Sequence, residues 1–193
     1  PEFLKRLDAQ LEETLGERLP LKASPVRFAS WMGGDRDGNP NVTANVTEEV
    51  LLLSRWMAAD LYFRDVDALR SELSMVKAND ELRRWIGVDC AEPYREMLGQ
   101  VRTRLANTKA WIHAKLKGDP LPDTPVYHCS EELLEPLMLC HKSLTDCGMG
   151  IIAKGALEDI IRRIACFGTS LVKLDIRQSS DRCFLRVLEN FFA

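Results

Sequence analysis

Six cysteines stand at 90, 129, 140, 147, 166 and 183, but no two form a CxxC pair, and histidine occurs only three times. This scatter argues against a zinc site, and in a chain of this length it argues against a disulfide framework. The cysteines read mostly as small buried hydrophobes in a reducing, cytoplasmic setting. No apolar run approaches the roughly 20 residues needed to span a bilayer. No signal-peptide pattern opens the chain. Positive charge is not in excess either: the formal net charge is −3, so bulk electrostatics predict no attraction to nucleic acid or to an acidic membrane surface. Internal repeats and low-complexity tracts are missing. Two glycosylation sequons, at Asn41 and Asn45, have no secretory context.

What is present is a 193-residue chain with 46% hydrophobic residues, enough for a real core in one large domain or in a piece of a larger one. It starts at Pro1 and closes on "ENFFA", which reads as a single internal fragment, 1–193, of a longer protein. Helical periodicity dominates. Leu4, Leu7, Leu11 and Leu15 form a stripe closed by Gly16 and Pro20. A long helix is expected from a Thr47 cap to about residue 76, with Glu48 and Glu49 in its first turn, where the dipole favours acids. Pro93 opens another as its first residue, running to a Gly118 stop, and "GDPLPDTP" (118–125) is a connection. Ser130 caps a helix ending near Gly148. A last one spans Ala156 to Cys166 and stops at Gly168.

Two stretches break this pattern. "VRFASW" (26–31) and "LVKLDIRQ" (171–178) are β-branched or aromatic and alternate. Val172, Leu174 and Ile176 are expected on one side, and Lys173, Asp175 and Arg177 on the other. They form either an edge strand with a wet face or a barrel strand whose polar side reaches a site at its C-terminal end. With helical residues 47–167 between them, the two strands are expected to pair in parallel.

The stretch "SWMGGDRDGNP" (30–40) is the most unusual. Gly33 and Gly38 have P-loop spacing, but Asn39 and Pro40 follow where Lys and Ser or Thr are required. An EF-hand from Asp35 would need Gly and Glu where Pro40 and Val46 stand. A dinucleotide G-x-G-x-x-G is absent. There remains a strand entering a Gly33–Gly34 turn that lets backbone come close to something. Asp35 and Asp37 flank Arg36, which carboxylates or backbone carbonyls would hold, and Trp31 supplies a rigid wall. The alternative is a structural turn on a helical scaffold or interaction module.

"FASWMGGDRDGNPNVT" (28–43) resembles the signature loop of the phosphoenolpyruvate carboxylases, and "LVKLDIRQSS" (171–180) resembles their L-D-I-R-Q-E-S strand. "VLLLSRWMAADLY", "SELSM", "AEPYR", "LKG" and "GMGIIAKG" lie between in the expected order. The likeness covers nearly the whole chain and is nearest the bacterial enzymes. It implies a mainly α segment with two short parallel strands taken from a larger α-rich (β/α)-type barrel enzyme. That enzyme is a cytoplasmic, allosteric lyase and a homotetramer. It converts phosphoenolpyruvate and bicarbonate, with magnesium or manganese, into oxaloacetate and phosphate through carboxyphosphate and an enolate.

Residue by residue, the resemblance makes Arg177 the catalytic arginine. It puts Trp31, Arg36 and Gln178 at the substrate, and gives loop-shaping roles to Gly33, Gly34, Asp35 and Asp37. Ser179 and Cys183 depart from the pattern: Ser179 stands where a glutamate is usual. A T-A-H-P-T-E histidine segment, the metal-binding carboxylates and a mobile Gly/Arg-rich loop are not found in this sequence. His113, His128 and His141 fall in no motif. The chain alone is therefore expected to be inactive and open to self-association along unpaired strand edges.

Overall fold

Threonine 43, not Thr47, starts the longest helix. In the computed structural model, which describes residues 1–37 and 39–177, the Thr43 hydroxyl accepts from the Val46 amide at 3.3 Å and caps Ala44–Glu72. "NVTANVT" offers two threonines one helical turn apart, and either suits a cap. Thr47 lies inside the helix, buried, with its hydroxyl turned to other partners.

The described residues form seven helices: α1 Glu2–Leu15, α2 Ala44–Glu72, α3 Asp80–Ile86, α4 Pro93–Lys117, α5 Ser130–Asp146, α6 Gly150–Ala153 and α7 Ala156–Phe167. Two strands accompany them, β1 Ala29–Ser30 and β2 Lys173–Leu174. Mainly helical architecture with two short strands is thus the observed class. Pro93 at the start of α4 and Gly118 at φ 72° past its end act as expected,. The cap of α5 is Cys129, one residue before the expected Ser130. Helix α3 was not expected. Asn79 caps it through the Leu82 amide at 3.0 Å, and Gly87 ends it at φ 73°.

The core follows helical spacing. Tyr62, Val66 and Leu69 of α2 meet Met97, Leu98, Val101 and Leu105 of α4. Leu133, Leu137 and Leu144 of α5 and Leu157, Ile160, Ile161 and Ile164 of α7 close the other side. Burial of such side chains contributes about 1.5–3 kcal/mol each, which holds helices that propensity alone would not. Helix α1 is attached differently. Leu4 is buried, but Phe3 and Leu15 are exposed. Its docking depends on Lys5–Asp159 at 2.9 Å and on buried Asp8, which accepts from Arg18 at 2.7 Å and from the Leu19 amide at 2.7 Å. Asp8 also lies 3.6 Å from Arg162, the bulkiest fully buried side chain among the described residues.

The cysteines do not bear out their reading as mostly buried. Cys140 is buried, its thiol pushed up to about 12 by that burial. Cys90, Cys147 and Cys166 are half-buried and Cys129 is exposed. Small size admits cysteine to a core without requiring it there. Cys183 lies outside the described residues.

Strands β1 and β2 run parallel, with Ala29 opposite Lys173 and Ser30 opposite Leu174. The Asp175 amide continues the ladder to the Ser30 carbonyl at 2.8 Å. Regular pairing is much shorter than 26–31 and 171–178, because the chain leaves the ladder at Trp31. Leu174 is half-buried, while Ile176, expected on the same side, is 56% exposed.

Candidate functional site

After Ser30 the chain makes a detour. The Gly34 and Asp35 amides both donate back to the Trp31 carbonyl, at 2.9 and 3.0 Å, closing a tight turn. Pairing resumes beyond it. Asp35 and Arg177 form an isolated parallel bridge, the Arg177 amide donating to the Gly34 carbonyl and the Arg36 amide to the Arg177 carbonyl, each at 2.9 Å. The turn is an excursion from one parallel pair, and Arg177 sits where the excursion rejoins it. The Gly33–Gly34 turn and Arg177 therefore share one end of the pair, as parallel strands allow.

The two glycines approach the protein's own chain. Gly33 has φ 80°, and a Cβ there would fall 2.6 Å from the Val50 side chain of α2. A Cβ on Gly34 would fall 2.4 Å from the carbonyl oxygen of Asp175, the residue that follows β2. That second neighbour is backbone and cannot swing away. Gly34→Ala is therefore expected to force the strands apart, at a cost of about 1–3 kcal/mol, the range for overpacking. Thermal unfolding checks this against Gly150→Ala, where nothing lies within 4 Å of the added Cβ. Equal melting temperatures for the two variants would refute the close approach.

Trp31 is 60% exposed, and the Arg177 guanidinium carbon stands 5.7 Å from its ring centroid, within cation–π range,. Asp175 fixes the arginine from the other side, its Oδ2 accepting from Nε at 3.0 Å and lying 3.0 Å from Nη2. Both members of that pair are about half exposed, so it orients the arginine more than it stabilises the fold. Asp35 turns inward on the loop, accepting from the Asp37 amide at 3.1 Å. Among the described residues, Arg36 reaches neither a carboxylate nor a carbonyl. Its Nη2 donates to the Thr47 hydroxyl at 2.9 Å. Gln178, Ser179 and Gly38 lie outside the described residues.

The fold thus brings Trp31, Gly33, Gly34, Asp35, Arg36 and Arg177 together and adds Asp175 and Thr47. Asp175 could have been found from sequence, since a residue two positions from Arg177 on a strand shares its face. Thr47 could not, because its role depends on α2 packing against the loop. The described residues hold no group of three or more His, Cys, Asp or Glu side chains able to bind a metal. No described helix is long and apolar enough to cross a membrane.

A family model described as phosphoenolpyruvate carboxylase matches residues 1–193. Phosphoenolpyruvate carboxylase of Hahella chejuensis is 58% identical over 182 residues, which cover 94% of this chain and 20% of that protein. The protein of the same name from Ectopseudomonas mendocina is 59% identical over 182 residues, 94% of this chain and 21% of that one. That of Escherichia coli O81 is 55% identical over 184 residues, 94% of this chain and 21% of its own length. The chain spans about a fifth of the length of these curated relatives.

Proposed function

Because the chain belongs to the phosphoenolpyruvate carboxylase family, we propose that it supplies one wall of a site where phosphoenolpyruvate and bicarbonate become oxaloacetate and phosphate. Arg177 is the catalytic residue and Trp31 the apolar wall. The observation that best supports this is the meeting of two distant stretches at one end of a parallel pair, with the Arg177 guanidinium over the Trp31 ring.

The chemistry suits those groups. Phosphate, bicarbonate and an enolate all present anionic oxygens. A guanidinium stays charged and offers paired donors to them, and donors fixed in advance stabilise charge as it develops. Asp175 holds Nε and Nη2, which leaves Nη1 outside that pairing as the donor a bound anion would meet. Trp31 narrows the same rim and limits water there. Gln178, next in the chain, would steady Arg177 or touch the substrate. The described residues do not furnish a cage for magnesium or manganese. We assign those ligands to family sequence beyond this fifth and route no step through the metal. The same reading carries a cytoplasmic, homotetrameric parent and self-association of the short chain. Exposed Trp31, Met32 and Ile176 beside the strands suit such packing.

The test is a chimera with these 193 residues in place of the matching segment of the Escherichia coli O81 relative. The chimera is expected to form oxaloacetate only when both phosphoenolpyruvate and bicarbonate are supplied. The 193-residue chain alone is expected to form none. A folded but inactive chimera would count against the reading, as would bicarbonate-dependent turnover by the short chain. The helical-module alternative predicts that the chimera's turnover is indifferent to Arg177.

A further inference from the structure

Thr47 lies one turn inside α2 and is only 4% exposed. Its Oγ1 accepts from Arg36 Nη2 at 2.9 Å and donates to the Gly33 carbonyl at 2.8 Å, with the Thr43 carbonyl at 3.1 Å as a second acceptor. Residues 33 and 36 bracket the two backbone groups that clasp Arg177: the Gly34 carbonyl and the Arg36 amide, each bonded to Arg177 at 2.9 Å. Among the described residues no carboxylate pairs with the Arg36 guanidinium, and its buried Nε has no partner. One neutral hydroxyl is therefore the polar group that fixes this arginine and, through it, the seam holding Arg177.

We propose that Thr47 is a positioning residue for the Arg177 site, acting through Arg36 and the Gly33 carbonyl. This rests on the reading of Arg177 as catalytic, and it moves Arg36 from substrate binding to support of the loop. Thr47→Val keeps the shape and removes the hydroxyl. The Arg36 guanidinium and the Gly33 carbonyl then lose a bond they cannot easily replace in a buried place. The loop shifts and carries the Arg177 backbone with it. A displacement of about 1 Å can lower turnover by about 100-fold.

In the chimera, Thr47→Val is expected to lower kcat/KM by about 10- to 100-fold while the melting temperature stays close to the parent's. Thr47→Ser, which keeps the oxygen, recovers most of the loss. In an Arg36→Met background Thr47→Val is expected to cost less than it does alone, because the Arg36 connection is already gone and only the Gly33 bond remains to be lost,. Unchanged turnover in Thr47→Val overturns the proposal. So do full additivity with Arg36→Met and a serine variant as poor as the valine one. If Thr47→Val and Thr47→Ala both fail to fold while Thr47→Ser folds, the hydroxyl serves folding and the positioning role is lost. Arg177→Ala, measured beside them, separates the two levels. Loss of turnover there with normal Thr47→Val turnover defeats this inference alone. Normal turnover in Arg177→Ala defeats the site reading and this inference with it.

Discussion

Arg177→Ala in the full-length chimera is expected to lower kcat by about two to three orders of magnitude, the cost of removing one fixed donor to developing charge, about 2.7–4 kcal/mol. Folding should be spared. The side chain is about half exposed, and its partner Asp175 is exposed to a similar degree, so little burial is lost. Arg177→Lys should recover only part of the rate. A lysine at this position keeps a charge but loses the planar fork that engages Asp175 on one edge while presenting donors on another. Steady-state kinetics with both substrates varied, together with thermal unfolding of each variant, checks this. Turnover in the alanine variant within a few-fold of the parent would refute the assignment.

The largest effect on stability is expected at Arg162. This side chain is 2% exposed; its Nε donates to Glu158 Oε1 at 2.9 Å, and its Nη2 lies 3.6 Å from Asp8 Oδ2. Arg162→Ala leaves two buried carboxylates short of a cation. Breaking a buried pair by removing one partner costs about 3–5 kcal/mol. Arg18 stays with Asp8, so Glu158 bears most of the penalty.

His141 adds a pH signature. Its Nε2 is buried, has no hydrogen-bond partner among the described residues, and lies 3.9 Å from Glu158 Oε2. Burial first, opposed by Glu158 and assisted by Arg162, holds its pKa below 6.5. A depressed pKa means that the unfolded chain binds the proton more tightly. Stability is therefore lost as pH falls below 6.5 towards the folded value. Without Arg162, an uncompensated Glu158 would favour the imidazolium, and the slope should flatten. Urea unfolding from pH 7 to pH 5 reads both effects. A loss under about 1 kcal/mol for Arg162→Ala would show that the buried ions are not coupled as drawn.

Helix ends marked by strong local chemistry were legible in the sequence: Pro93 and Gly118 around α4, Gly16 after α1. So was the parallel relation of the two β stretches, since a long helical crossover leaves few other arrangements. Helix α3 was passed over because two turns are too few to show a period, although Asn79 and Gly87 are the residues a short helix needs at its ends. The Thr43 and Thr47 ambiguity is of another kind. Both satisfy the local rule, and the choice is made by Gly33 and Arg36, which sequence places before the helix without saying where they fold.

The Gly33–Gly34 pair shows the same limit. Sequence indicates close approach, and only packing shows that Val50 and Asp175 are what is approached. Burial of ions was hidden for a similar reason. Nothing around Arg162 in "IIRRIAC" distinguishes it from Arg163, whose side chain is 36% exposed and pairs with Asp65 at 2.5 Å.

The pairing of Ala29 with Lys173 also sets an order of events. All seven described helices but α1 lie between the two partners in sequence, so the strands cannot meet until nearly the whole segment exists. During synthesis at about 5–20 residues per second, β1 waits roughly 7–30 s before β2 is made. The helices between them form from local contacts long before then, and contacts so far apart in sequence are slow to close. The seam at Arg177 is then among the last parts of this chain to assemble. Until it does, the turn carrying Trp31 and Met32 has no strand beside it, and a nascent chain at that stage would be an early target for chaperones or proteases.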